Sequence, residues 1–430
     1  MTSIKKTAAA VLAAGLLLTG CASGGGSAGS TAGPDEKVVL RFAWWGNDAR
    51  NTITNEVIAA FEAENPNIDI QGEPGEWSGY WDKLATQVAG NNAPDIIQMD
   101  EKYIAEYGER GALLDLEEAG VPTDKFIEGT VDTGRVSGTL YGINAGVNAP
   151  VVVANPTVLD AAGVAVPDDS TWTWDSLIAT SKQITDASPA GTFGSQNMSW
   201  VEPTLRAWLR QEGADQFNES GVGFEVNQLS PYFDLWLKAQ ADGATPTAAE
   251  SSEDTGKALD QTMAATNKLG FSVYWSNQIT ALEKATGTSL ELLRVPSQTG
   301  KAADAKLWYK ASMLWTASSR TANPEAAAKF IDYLANSVEA GKIMKTERGV
   351  PANSEVREAI TPELSDVDKK VVAYLDEIEP ELGPTPMVTP VGGGNFGVIQ
   401  MRIAQDLLFE RQTPEQAAQS LRDEVASGLA

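Results

Sequence analysis

The sequence predicts an α/β protein whose open sheets are covered by helices. Three observations carry that expectation. The chain has 430 residues, which at about 150 per domain is enough for two to three domains and a sizeable core. Apolar β-rich runs alternate with stretches whose apolar residues recur at helical spacing. Apolar residues make up 42% and charged residues 21%, the balance of a folded chain rather than a disordered one.

The first segment stands apart from this rhythm. Lys5 and Lys6 precede an apolar stretch from Thr7 to Leu18, and Leu18-Thr19-Gly20-Cys21 closes it. The stretch falls well short of the roughly 20 residues that span a bilayer, so residues 1–20 read as a signal peptide. Cys21 is the sole cysteine. Residues 21–36 are dominated by Gly, Ser and Ala and read as a flexible tether. Within it, Gly25-Gly26-Ser27-Ala28-Gly29 matches the G-x-S-x-G nucleophile pattern in form only: no strand precedes it, and the chain has no histidine to activate Ser27.

The folded part begins near Lys37. Val38 to Trp44 is a β-rich run, and Ile53, Val57, Ile58 and Phe61 then mark a helix that Asn65-Pro66-Asn67 stops. Ile68-Asp69-Ile70 is a short strand, and Trp81, Leu84, Ala85 and Val88 mark a second helix. After Pro94, Asp95 to Met99 reads as a buried strand. Two late helices have clear starts, Asn323 before Pro324-Glu325 and a Thr-x-x-Gln capping box at Thr413.

Composition excludes several functions. Acidic residues outnumber basic ones 58 to 32, for a formal charge of −26, so nucleic acid is not an expected partner. The lack of histidine removes Ser-His-Asp and Cys-His mechanisms and the commonest metal ligand. There is no calcium-loop pattern, and no metal or cofactor is expected. Trp, at 12, outnumbers both Phe (11) and Tyr (9), an excess of flat amphipathic rings that suits ligand binding.

The order of segments resembles the carbohydrate-binding branch of the extracellular solute-binding lipoproteins of bacterial ABC importers, the branch that includes maltose-binding proteins. The resemblance rests on FAWWGNDAR (Phe42 to Arg50), FEAENPNIDI (Phe61 to Ile70), WDKLATQVAGNNAPDIIQMD (Trp81 to Asp100) and YGERGALLDL (Tyr107 to Leu116). It continues in LYGINAGVNAPVVVANPTVLDAAGV (Leu140 to Val164), WTWDSL (Trp172 to Leu177), NPEAAAKFIDYL (Asn323 to Leu334) and RGVPAN (Arg348 to Asn353). One departure is Ala154, before Asn155, where many relatives carry Tyr. The resemblance implies a two-lobe periplasmic-binding-protein-like fold with a hinge and an interlobe ligand cleft. It assigns residues 37–147 with 312–350 to lobe one, and 148–311 with 351–430 to lobe two. It makes the sequence before Cys21 a lipobox, with cleavage and diacylation at Cys21 and anchoring on the extracytoplasmic face of the cell membrane; the alternative is a plain signal peptide with an incidental cysteine.

The implied ligand is a neutral sugar or oligosaccharide, and the implied partners are ABC permease subunits; the protein would be a monomer that binds without turnover. Sugars present C–H faces to aromatic planes and hydroxyls to carboxylates and amides. Trp45, Asn47 and Asp48 follow the first strand and supply both, with one of Trp44 and Trp45 expected in the core. Trp77, beside Glu76, lies in a Gly/Pro-rich stretch from Gly72 to Gly79 and either meets ligand or pins its loop. Asp100 would point from a strand end into the cleft, whereas Asp95 would accept backbone N–H bonds in the turn before the strand. Asn148 lies in the Leu140 to Val164 match. Glu202, before Pro203, matches an acidic sugar contact of the relatives, with Trp200 beside it. Trp275, at the end of Phe271 to Trp275, matches a sugar platform. Gly392 to Gly397 contains a formal G-x-G-x-x-G, but Pro384, Pro386 and Pro390 stand where its strand should be; a helix entry presenting Asn395 and Phe396 to ligand fits better. Trp172, Trp174, Trp208 and Trp236 are expected in packing. The competing function is a surface glycosidase using paired carboxylates, for which no hydrolase framework is recognisable.

Overall fold

The structure, a computed structural model, describes residues 37–46 and 48–429; the expected signal peptide, Cys21, the expected tether and Asn47 lie outside the described residues. In chain order the main strands are β1 (Val38–Trp45), β2 (Ile68–Gly75), β3 (Ile96–Met99), β4 (Ile143–Asn144), β5 (Val147–Asn148), β6 (Pro150–Ala154), β7 (Phe193–Ser195), β8 (Leu269–Trp275), β9 (Glu291–Leu293), β10 (Lys310–Ala311) and β11 (Leu314–Ala317). The helices that matter here are α1 (Asp48–Glu64), α2 (Trp77–Ala89), α3 (Trp174–Ala187), α4 (Glu202–Gln211), α5 (Val226–Ala241), α6 (Ala248–Thr255), α7 (Pro324–Asn336), α8 (Phe396–Leu408) and α9 (Pro414–Gly428).

Nine of these strands form two separate sheets. The first has the order β2-β1-β3-β11-β4, with β1 parallel to β2 and β3, and β11 antiparallel to both neighbours. The second has the order β9-β6-β8-β7. Alternation along β1 explains the packing of the first sheet. Leu40, Phe42 and Trp44 face one cluster with Val57 and Phe61 of α1 and Phe330 of α7, while Ala43 and Trp45 face another with Tyr80 and Leu84 of α2. The second sheet packs Val151 to Ala154 and Phe271 against helices from the later chain. Trp174, Trp208 and Trp236 are buried there with Tyr232, as expected.

The sheets are joined by short crossings. Residues 145–149 lead from β4 through β5 into β6, and β10 leads into β11. β5 and β10 pair antiparallel as a two-stranded ribbon, Lys310 opposite Asn148 and Ala311 opposite Val147. Val147 and Val350 then exchange backbone hydrogen bonds of 2.7 and 3.2 Å, placing a third segment beside the ribbon.

Several local expectations change. The stretch from Gly72 to Gly79 is not a loop: β2 continues to Gly75 in parallel register with β1, and Trp77 opens α2. Gly72 permits this, because a β-carbon there would lie 2.6 Å from the Trp44 ring. Trp44 and Trp45 are both buried, on opposite faces. The Asp95 carboxylate accepts from the backbone N–H of Arg41 on the neighbouring strand (2.9 Å) and from the Thr321 hydroxyl (2.6 Å), so it ties strands together rather than closing its own turn. Thr413 forms its capping box, but the Asn323 side chain makes no capping bond and Pro324 alone opens α7. Finally, Val388 and Val391 pack against the first sheet and the Thr385 hydroxyl donates to Gly129 O (2.9 Å), while the Gly383 N–H donates to Leu307 O (2.8 Å), so the segment from 383 to 391 touches both halves of the molecule.

Candidate functional site

The ribbon between the sheets places Lys310 at the centre of a polar cluster. Its ammonium pairs with Glu101 at 3.2 Å, in the turn that follows β3. It also lies 5.3 Å from the centre of the Trp275 ring, at the end of β8, close enough for a cation–π interaction. Asp100 and Glu202 act on the same charge. Burial disfavours the lysine cation, but Glu101, Asp100 and Glu202 more than offset this and hold its pKa above the ordinary lysine value. Burial pushes the Glu101 carboxyl upward, with Lys310 opposing and Asp100 adding to the shift. Asp100, Glu101 and Glu202 outnumber Lys310, and Arg206, which also acts on Glu101, is itself paired with Asp215, so the cluster keeps a negative surplus.

Each member is fixed by its element. Asp100 is buried, and its carboxylate accepts the Lys102 backbone N–H (3.0 Å) as the chain leaves β3. Asn148 faces Lys310 across the ribbon, so the two side chains share a face. Asn148 is 4% exposed and its side-chain oxygen has no hydrogen-bond partner, an arrangement that costs free energy until a donor arrives. Glu202 is the first residue of α4, and one oxygen accepts from Gln216 (3.3 Å). Its other oxygen reaches the opening turn of α8, where a β-carbon on Gly397 would approach it to 2.7 Å. The Glu202 side chain thus lies at the N-terminal turns of two helices. Trp275 meets Trp308 edge to face at 6.4 Å. Arg206 and Arg210 lie over Trp308 on its other contacts and both pair with Asp215, at 2.7 and 3.0 Å.

A second group borders the first through the turn after β3. Trp45 contacts Trp77, Tyr80 and Trp81 at 5.1–5.5 Å, and Trp81 lies 4.1 Å from Tyr103. Trp77 is 45% exposed, the one ring of this shelf open to a solute to that extent, while Trp45 is nearly covered by it. Asp48 is exposed at the start of α1. Arg50, the basic residue of the same motif, is bound by Glu347 at 2.6 Å.

Asp100, Asn148, Glu202 and Trp275 thus come together around Lys310, and Trp45 and Trp77 form the neighbouring shelf. Trp200, in contrast, lines a cavity under α6. Asn395 is exposed in the turn before α8. Phe396 is 3% exposed and packs on Phe217 and Phe224, at 5.7 and 6.4 Å, so helical phase turns its ring into the core. Reading the sequence missed Lys310 and Glu101. The available signal was the lone cation in Leu307-Trp308-Tyr309-Lys310-Ala311, because a charge in an apolar run must find a counter-charge. Among the described residues no group of His, Cys, Asp and Glu could hold a metal ion.

The pattern of the bacterial extracellular solute-binding proteins matches residues 56–370. The chain belongs to that family. A solved family 1 extracellular solute-binding protein from Alicyclobacillus acidocaldarius is similar to it at 28% identity, covering 92% of this chain and 99% of the other with a TM-score of 0.74. An uncharacterised lipoprotein of Streptomyces antibioticus is 29% identical over 177 residues, 40% of this chain and 37% of that protein. An arabinooligosaccharide-binding protein of Halalkalibacterium halodurans is 27% identical over 140 residues, 32% of this chain and 30% of its own length. This solute-binding protein therefore has the two-lobed fold of its relatives, and its family is one of extracytoplasmic binding proteins.

Proposed function

We propose that this solute-binding protein captures a neutral oligosaccharide between its two lobes, without turnover, and delivers it to the membrane permease of an ABC importer. The carrying observation is the convergence of Asp100, Asn148, Glu202 and Trp275, from four distant stretches of chain, on Lys310 in the ribbon between the sheets. Trp275 offers a ring face to sugar C–H groups. Asn148 offers an unused acceptor, and the carboxylates accept hydroxyl protons in charge-assisted bonds. The surplus of acid over Lys310 disfavours phosphorylated or sulfated sugars. The similarity to an arabinooligosaccharide-binding protein supports a sugar ligand.

The lobes are assigned to the two sheets, divided at residues 147–148, 311–312 and 350–351, where the ribbon and Val350 meet. Short crossings of this kind allow a hinge, and a ligand touching both lobes shifts the open–closed balance by its extra affinity for the closed form. Cys21 carries the lipid that keeps the protein at the outer face of the membrane; the likeness to a lipoprotein supports this. Small-angle scattering with a saturating neutral oligosaccharide tests the mechanism. Compaction on binding is expected, and an unchanged radius with proven binding would refute capture between lobes.

A further inference from the structure

A cavity of about 160 Å³ lies beneath α6, and none of its lining residues belongs to the Lys310 cluster. Its walls include Trp200, Tyr274, Asp254, Thr255, Thr262 and Gln196. Two of these are chain neighbours of the cleft residues: Trp200 stands two positions before Glu202, and Tyr274 immediately before Trp275. The cavity and the cleft thus share the end of β8 and the segment that leads into α4.

The lining is polar and incompletely partnered. Trp200 is 7% exposed and its indole N–H has no hydrogen-bond partner. The Asp254 carboxylate accepts the Met263 backbone N–H through one oxygen (2.7 Å), with the ammonium of Lys257, another lining residue, 3.8 Å from the same oxygen, and burial raises its pKa against both. Gln196 uses its side-chain oxygen on the Val273 backbone N–H (3.1 Å), which leaves its amide protons for another acceptor. The Tyr274 phenol meets the Thr262 side chain. Two aromatic planes with donors and a carboxylate at their edges match a sugar ring, whose hydroxyls both donate and accept. Whole ligands occupy pockets of about 300–1,000 Å³, so this volume suits one ring and not an oligosaccharide.

We infer that the cavity under α6 is an end subsite that takes the terminal ring of a neutral oligosaccharide whose other rings lie in the Lys310 cleft. Binding there sets the preferred chain length. This rests on the sugar-binding reading of the cleft, and the test separates the two.

The test uses the full mature protein, a ladder of neutral oligosaccharides from mono- to hexasaccharide in α- and β-linked series, and calorimetry. Thr255→Trp plugs the rim from an exposed position of α6 and leaves the core untouched. Asp254→Asn keeps an oxygen for the Met263 N–H while removing the charge. Both variants should weaken the longer sugars by about tenfold or more, the loss expected for a buried hydrogen bond to a charged group, while the shortest sugar that binds keeps its affinity. Equal affinities of both variants and the parent at every length would overturn the subsite and leave the cleft reading standing. A loss uniform across all lengths would also overturn it, by making the cavity part of the main site. If no sugar of the ladder binds the parent protein, the sugar-binding reading falls and the subsite falls with it.

Discussion

Replacing Lys310 with Met tests the centre of the site. Met keeps an unbranched stem against Trp275 and removes only the cation. In the parent protein the ammonium lies 3.2 Å from Glu101, with side-chain exposures of 18% and 23%. At an effective dielectric constant of about 20, two unit charges at that separation attract by about 5 kcal/mol. Dehydration offsets much of this, so an unfolding deficit of about 1–3 kcal/mol at neutral pH is expected. The sign of its pH dependence follows from Glu101. Its carboxyl is already raised by burial, and loss of Lys310 removes the chief opposing influence. A carboxyl raised in the folded state adds stability at low pH that disappears as pH climbs from the ordinary value of 4.5 through the raised one. The deficit should therefore shrink below about pH 4.5 and reach its full size near neutrality. Urea unfolding at a series of pH values reads it, and adding Glu101→Gln should restore part of the loss. A variant as stable as the parent at pH 7, or a deficit that does not change with pH, would refute this electrostatic account.

Trp275→Ala should weaken sugar binding by about 2–4 kcal/mol, the scale of a hot-spot aromatic, with unfolding little changed; calorimetry and urea unfolding on the same sample show whether affinity or stability moved. Phe396→Ala should do the reverse, costing about 3–5 kcal/mol of stability as a core aromatic truncation, with sugar affinity retained in the folded fraction; lost affinity at unchanged stability would return Phe396 to the ligand. Cys21→Ser should release the protein to the medium or leave an uncleaved precursor, and unchanged partitioning into detergent would show that no lipid is attached there.

Short-range pattern accounts for what can be read along the chain. The alternation of Leu40, Phe42 and Trp44 with Ala43 and Trp45 follows from the period of a strand, and the spacing of Val57, Ile58 and Phe61 from that of a helix, so β1 and α1 were legible. Asp100 was legible as a candidate from its place after a strand, because the C-terminal ends of strands open onto clefts, whereas Trp275 was singled out by the family resemblance. The tertiary structure decided which of these meet. Lys310 lies 209 positions from Glu101 in sequence, yet the ribbon of β5 and β10 brings their charges within 3.2 Å. No local period encodes that distance. Likewise, only the helical phase of α8 against Phe217 and Phe224 could show that Phe396 fills the core, and only the parallel pairing of Gly72 beneath the Trp44 ring could turn a Gly/Pro-rich stretch into a strand. Periodicity fixes which face of an element is apolar, but the partner of a polar group depends on contacts between segments far apart in the chain. The site was therefore visible in the sequence as separate residues, and it became one site only when the sheets were joined.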